Sequence, residues 1–247
     1  MKRVFLPVCL VVLVLSSPAH ARENTSAATE NRANTLRFIE TLKTENTAYY
    51  TGHDAGFFSE LTKGQTPIAT VVSCSDARVH TNMLSASPEG KLYVIRNLGN
   101  QIASNEGSVE YGIHQLHTPV LLIIGHTRCG AISAATGNYS GESPASKRDL
   151  DTLAIDKELP NLDGVHANVN NQVAAAMLRF ADELKERKLT VIGAIFDFAD
   201  DMHQGAGKLN IINVNGETDE KKLENLESLL AKPAASGGKK KKKTDAG

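Results

Sequence analysis

The hydrophobic positions of this chain fall into two rhythms that take turns along it. Short apolar runs rich in β-branched residues occupy 67–72, 92–95, 120–124, 190–196 and 209–214, the last broken by Asn210 and Asn213. Pro67 and Pro119 open two of these runs. Runs of this length, without polar alternation, predict strands buried on both faces, as in a parallel sheet. Between them the apolar spacing turns helical. Leu36, Phe38, Ile39 and Leu42 share roughly one face of 31–50, and Val169, Val173, Met177, Phe180 and Leu184 recur through 165–188. Residues 105–116, the stretch opening at Gly130, and 223–230 also have helical patterns. Strands alternating with helices predict an α/β fold with a mainly parallel β-sheet flanked by helices. No internal repeat and no second domain boundary is visible.

The two ends break this pattern. Lys2 and Arg3 precede an apolar stretch at 4–15, followed by Ser16-Ser17-Pro18 and Ala19-His20-Ala21. That order is the order of a secretory signal peptide, and the stretch is short for a membrane span. Cleavage is expected after Ala21, removing Cys9 and delivering a periplasmic or secreted protein. Residues 22–232 are then the folded domain. Residues 233–247 read as a disordered linker and tail, with five lysines at 239–243 offering weak contact with an anionic surface. Between these ends stand 20 basic and 27 acidic residues, a net charge of −7 that the overall value of −1 conceals. An acidic body without aromatic–basic clusters excludes nucleic acid as the partner.

Candidate chemistry gathers just after two of the apolar runs. Cys74-Ser75-Asp76-Ala77-Arg78 follows 67–72, and His126-Thr127-Arg128-Cys129-Gly130 follows 120–124. Both phrases therefore lie at the carboxyl ends of strands, the edge where open α/β sheets place their sites. Cys74, His126 and Cys129 make three zinc ligands with a fourth position open, the pattern of a catalytic metal. Two cysteines in an exported chain otherwise read as a disulfide. The His126–Cys129 spacing, and Asp76 and Arg78 beside Cys74, favour the metal, which would hold both sulfurs as thiolates.

The pattern C-x-D-x-R followed some fifty residues later by H-x-x-C resembles the β-class carbonic anhydrases. The resemblance extends to Gln65, to the stretch Pro88-Glu89-Gly90-Lys91-Leu92-Tyr93-Val94-Ile95-Arg96-Asn97-Leu98-Gly99-Asn100, and to Ser108-Val109-Glu110-Tyr111. It covers roughly residues 31–214. It implies four parallel strands plus an edge strand, an N-terminal helical arm at 31–50 that crosses to a partner, and a homodimer or higher even oligomer. It also implies one Zn2+ per chain and reversible hydration of carbon dioxide to bicarbonate and a proton by zinc-bound hydroxide. Two thiolates offset the charge of zinc and make its bound water less acidic, so a neighbouring base has to help. Asp76 is that candidate, accepting the hydrogen of the water, and Arg78 holds Asp76 by a bidentate contact. In some members the corresponding aspartate becomes the fourth ligand at low pH.

Gln65, by its family spacing, and the backbone N–H of Gly130 are the expected substrate-binding groups. His114 and His117 are weaker candidates for proton relay, while His53, His80, His166 and His203 carry no signal. A regulatory bicarbonate site found in some members needs a Trp and a Tyr where this chain has Val71 and Phe196, although Arg96 is present. Bicarbonate inhibition of that kind is expected to be weak or absent. Carbonyl sulfide or carbon disulfide hydrolysis on the same scaffold is the nearest alternative activity. A non-catalytic exported zinc- or surface-binding protein is the alternative of a different class.

Overall fold

The structure, a computed structural model, describes residues 18–231. The signal peptide expected at 1–21 lies outside the described residues except for 18–21, and the tail at 233–247 lies wholly outside them. The contacts between residues divide the chain after Thr62 into two units.

The first unit is helical. α1 (Pro18–Thr51) contains the expected 31–50 and begins well before it. Leu36, Phe38 and Leu42 on this helix are 54%, 65% and 56% exposed. α2 (Ala55–Leu61) is short and was not legible from apolar spacing. It starts where the Asp54 carboxylate accepts a hydrogen bond from the Phe57 amide at 2.8 Å, an N-cap. Tyr49, His53, Phe57 and Phe58 stack around that turn, with His53 and Phe57 centroids 4.1 Å apart. No helix among the described residues is long and apolar enough to cross a membrane.

The second unit is built on a five-stranded sheet in the order β2-β1-β3-β4-β5. β1 is Ala69–Cys74, β2 Leu92–Asn97, β3 Val120–His126, β4 Thr190–Asp197 and β5 Lys208–Val214. The first four are parallel, and β5 closes one edge antiparallel to β4. β1 begins two residues later than the apolar run suggested, so Cys74 ends the strand rather than following it. All six residues of β1 are buried, as expected of a central strand. In register, Val72 lies beside Ile95 and Ile123, and these three pack in one core cluster with Leu121, Val173, Phe180 and Val191. A second cluster, under the carboxyl ends of the strands, contains Cys74 and Cys129 themselves with Ile132, Leu153, Val165, Val169 and Ile195.

The helices depart from the sequence reading in instructive ways. Residues 105–116 form α3 (Glu106–Glu110), followed by a wider π-helical turn at Tyr111–Gln115. The turn lays Gly112 against Thr70, where a Cβ would overlap the threonine Oγ1. The helix opening at Gly130 is α4 (Gly130–Thr136), and α5 (Pro144–Asp151) was not anticipated. The long helix begins earlier and breaks: α6 is Asn161–Arg179 and α7 is Ala181–Lys185. Between them Phe180 leaves helical geometry and is wholly buried in the core. The last helix likewise divides into α8 (Glu220–Leu223) and α9 (Leu226–Ala231).

Candidate metal centre

β1 and β3 are neighbours in the sheet, so their carboxyl ends lie side by side. β1 delivers Cys74 and β3 delivers His126 as terminal residues. The chain then turns through Arg128, whose φ of 54° is left-handed, and places Cys129 at the N-cap of α4. All three side chains are buried, and among the described residues they form a group whose ligand atoms lie within 4.8 Å of one another. Both cysteines are free. His126 Nδ1 is 3.0 Å from the Thr127 carbonyl oxygen, which only accepts, so Nδ1 carries the proton. Nε2 is left with its lone pair, buried and without a hydrogen-bond partner. A buried polar atom in that condition costs about 1–3 kcal/mol, which a cation at that point would remove. Two soft sulfurs with one imidazole suit zinc, whose donors in tetrahedral geometry stand about 3.5–4 Å apart. The residues fit the metal.

The charges around the trio are arranged in advance. A hydrogen bond from Cys129 holds the Cys74 thiol well below its ordinary value against the opposing effect of burial, with the amides of Gly99 and Asp76 adding to it. Cys129 is driven the other way by that same bond and by burial. Gly99 serves here because its φ is +79° and a Cβ would press on Leu153 Cδ2 at 2.7 Å.

Asp76 stands beside the trio, its Oδ2 3.9 Å from His126 Nε2. Arg78 grips it from the other side, Nε on Oδ1 at 2.9 Å and one terminal nitrogen on Oδ2 at 2.7 Å, while the Arg78 amide adds a third bond at 3.0 Å. The Arg78 side chain holds the Asp76 carboxyl well below the usual carboxylate range despite partial desolvation. The same terminal nitrogen of Arg78 reaches the Arg128 carbonyl at 3.1 Å. Arg96, on β2, donates to the carbonyls of Cys74 at 3.1 Å and Asp76 at 2.8 Å, tying down the backbone between ligand and carboxylate. An anionic acceptor of fixed orientation thus faces the point where the free Nε2 aims.

A sequence profile of the carbonic anhydrase family matches residues 69–206, more than half of the chain and every member of this cluster. The chain belongs to the carbonic anhydrase family. The carbonic anhydrase of Synechococcus elongatus is 39% identical over 103 residues, 39% of this chain and 38% of that protein. The chain thus matches under two fifths of that relative's length. The solved β-carbonic anhydrase CcaA matches with a TM-score of 0.62 at 24% identity, over 73% of this chain and 88% of that one. A structure from work on two tetrameric β-carbonic anhydrases of Sordaria macrospora matches with a TM-score of 0.57 at 22% identity, over 73% and 98% of the respective chains. The fold of this chain is that of the β-carbonic anhydrases.

Among the site residues expected of a carbonic anhydrase, Cys74, Asp76, Arg78, His126 and Cys129 come together as described. Gly130 is the exposed first residue of α4, with open space where a Cβ would stand. Gln65 is not brought to the cluster within one chain. It is exposed and precedes β1, and Ile68 is already fixed at the start of the sheet by its bond to the Lys91 carbonyl. The six residues from Ile68 to Cys74 span roughly 20 Å, whereas three residues reach back about 10 Å at most. His114 and His117 precede β3 and so lie at the edge opposite His126, where His114 pairs with Glu183 at 3.0 Å. Neither is near enough to relay protons. Gly99, Arg96 in its hydrogen-bonding role, Asp197 and Phe198 were missed as site residues. Only Gly99 carried a signal, as a glycine in a polar turn after a buried strand.

Proposed function

We propose that this protein is a zinc carbonic anhydrase, interconverting carbon dioxide and bicarbonate. The observation that carries the reading is Asp76: a carboxylate gripped on both oxygens by Arg78 and standing 3.9 Å from the unpartnered Nε2 of His126. Cys74, His126 and Cys129 would hold one Zn2+, which when bound acts as a Lewis acid and makes hydroxide available near neutral pH. Asp76, an acceptor only, takes the hydrogen of the attacking oxygen and so sets its orientation. Arg78 keeps Asp76 charged and turned in that direction. Gly130, an exposed residue next to Cys129, would donate its amide hydrogen to a bicarbonate oxygen. Gln65 can serve the site only from a second copy of the chain, because β1 separates it from Cys74 in its own. That requirement, the exposed apolar residues of α1 and the tetrameric state named for the Sordaria macrospora enzymes all support an even homo-oligomer. Lys2, Arg3, the apolar stretch after them and Ala19-His20-Ala21 support export, with a mature chain starting at Arg22.

The test is zinc content measured together with stopped-flow hydration of carbon dioxide on the wild type and Asp76→Asn. About one zinc per chain, fast hydration, and a mutant that keeps zinc but loses about 10²–10⁴ in rate are the expected results. Zinc without hydration between pH 6 and 9 would overturn the reading, and sulfide release from carbonyl sulfide would redirect it.

A further inference from the structure

One aromatic ring touches both halves of the site and has no part in the chemistry described so far. Phe198 follows β4 and is half-buried. Its ring lies nearly parallel to the His126 imidazole, with centroids 5.9 Å apart and planes 28° from one another. The Arg78 guanidinium carbon lies 4.7 Å from the centre of the same ring. Phe196 meets the ring edge-on at 5.8 Å and limits its tilt. Arg78 is therefore held on its edge by Asp76 and the Arg128 carbonyl, and on its face by Phe198.

This third contact matters because the Arg78 side chain is 51% exposed. A solvent-exposed arginine–carboxylate pair is worth little by itself, since water competes for both partners and the long side chain has many rotamers. An aromatic face removes water from one side of the guanidinium and favours one plane for it. The ring is itself well anchored. The buried Asp197 carboxylate accepts from the amides of Asp201 at 3.0 Å and Met202 at 2.8 Å, closing the loop that begins with Phe198. Arg128, next to ligand Cys129, fastens the far side of the loop through Asp201 at 3.1 Å.

We propose that Phe198 is a positioning residue of the metal centre: its ring holds Arg78 in the plane that engages both oxygens of Asp76 and braces the His126 imidazole behind them. The proposal rests on the carbonic anhydrase reading for its kinetic consequence but not for its structural one. Phe198→Leu keeps apolar bulk and removes the π face, whereas Phe198→Tyr keeps the face. In the zinc-loaded full-length protein, F198L is expected to lower kcat and kcat/KM together by about three- to thirtyfold at unchanged KM and zinc content. F198Y is expected to restore most of that loss. Crystal structures of the two variants should show the Asp76–Arg78 double contact opened in F198L and kept in F198Y. A general loss of structure would instead lower zinc content and leave kcat per bound zinc unchanged, which would overturn the proposal. So would F198L with the double contact intact, or F198Y as impaired as F198L. If the zinc-loaded wild type does not hydrate carbon dioxide, the functional reading fails, and the two crystal structures still decide whether Phe198 sets Arg78.

Discussion

Asp197 has no solvent access and is surrounded by donors. Burial alone would raise its pKa, but the hydrogen bonds it accepts, led by those from the Met202 and Asp201 amides, together outweigh burial and hold the carboxyl below its ordinary value. A carboxyl depressed in the folded state contributes stability above its unfolded pKa of about 3.9 and loses that contribution as pH falls through the folded value. Asp197→Asn, with one acceptor fewer, is expected to be less stable than wild type by about 1–3 kcal/mol at pH 7. The gap should narrow below pH 4, and urea denaturation at pH 7 and pH 3 would measure it. A gap that stays constant would mean that the charge is not what matters. At this scale the sequence was legible wherever residue type declares chemistry. Two thiols, an imidazole, a carboxylate and a guanidinium at strand ends point to a metal centre before any coordinates. Phe198 was not legible, because its meaning comes from His126 and Arg78, 72 and 120 positions away, and Asp197 was not, because its donors are backbone amides that no residue type announces.

Elements were legible to the extent that one force dominated them. Burial on both faces writes itself as a short apolar run, most plainly in β1 and β3, and all five strands could be placed from pattern, though β1 was set two residues early and β5 is an edge strand broken by Asn210 and Asn213. The short helices were harder. α5 presents few apolar residues and announces itself only by Ser143 capping and Pro144 in its first turn, a signature present in the chain but not used. The π-helical turn had no signal in spacing at all, since the fit of Gly112 to Thr70 decides it. That fit makes an element-scale prediction. Gly112→Ala should cost about 1–3 kcal/mol by overpacking, measured as the shift in denaturation midpoint. Thr70→Ala removes the Oγ1 and Cγ2 that the new methyl would strike, so adding it should recover part of the loss despite breaking the buried Thr70–Thr118 hydrogen bond of 2.7 Å. Strictly additive losses would show that the turn is set elsewhere.

For the whole molecule, the strongest unanswered demand is from α1, whose Leu36, Phe38 and Leu42 stand more than half exposed in one chain. Such residues along a helix call for a partner surface. The double variant Leu36→Glu with Leu42→Glu is expected to reduce the mass seen by light scattering from an even multiple to a single chain. An unchanged mass would remove α1 from the assembly. The arrangement of the candidate ligands has a different consequence, which concerns chain entropy rather than catalysis. Cys74 and Cys129 lie 55 residues apart in sequence, the first ending β1 and the second standing just beyond β3 at the N-cap of α4. A cation gripping both would act as a cross-link on the unfolded chain, and a loop of that length closed by a link is worth about 4 kcal/mol in the chain-entropy model. The atom that equips the site for turnover would also rivet β1 to β3, so that stripping it with a chelator loosens the sheet at its carboxyl edge.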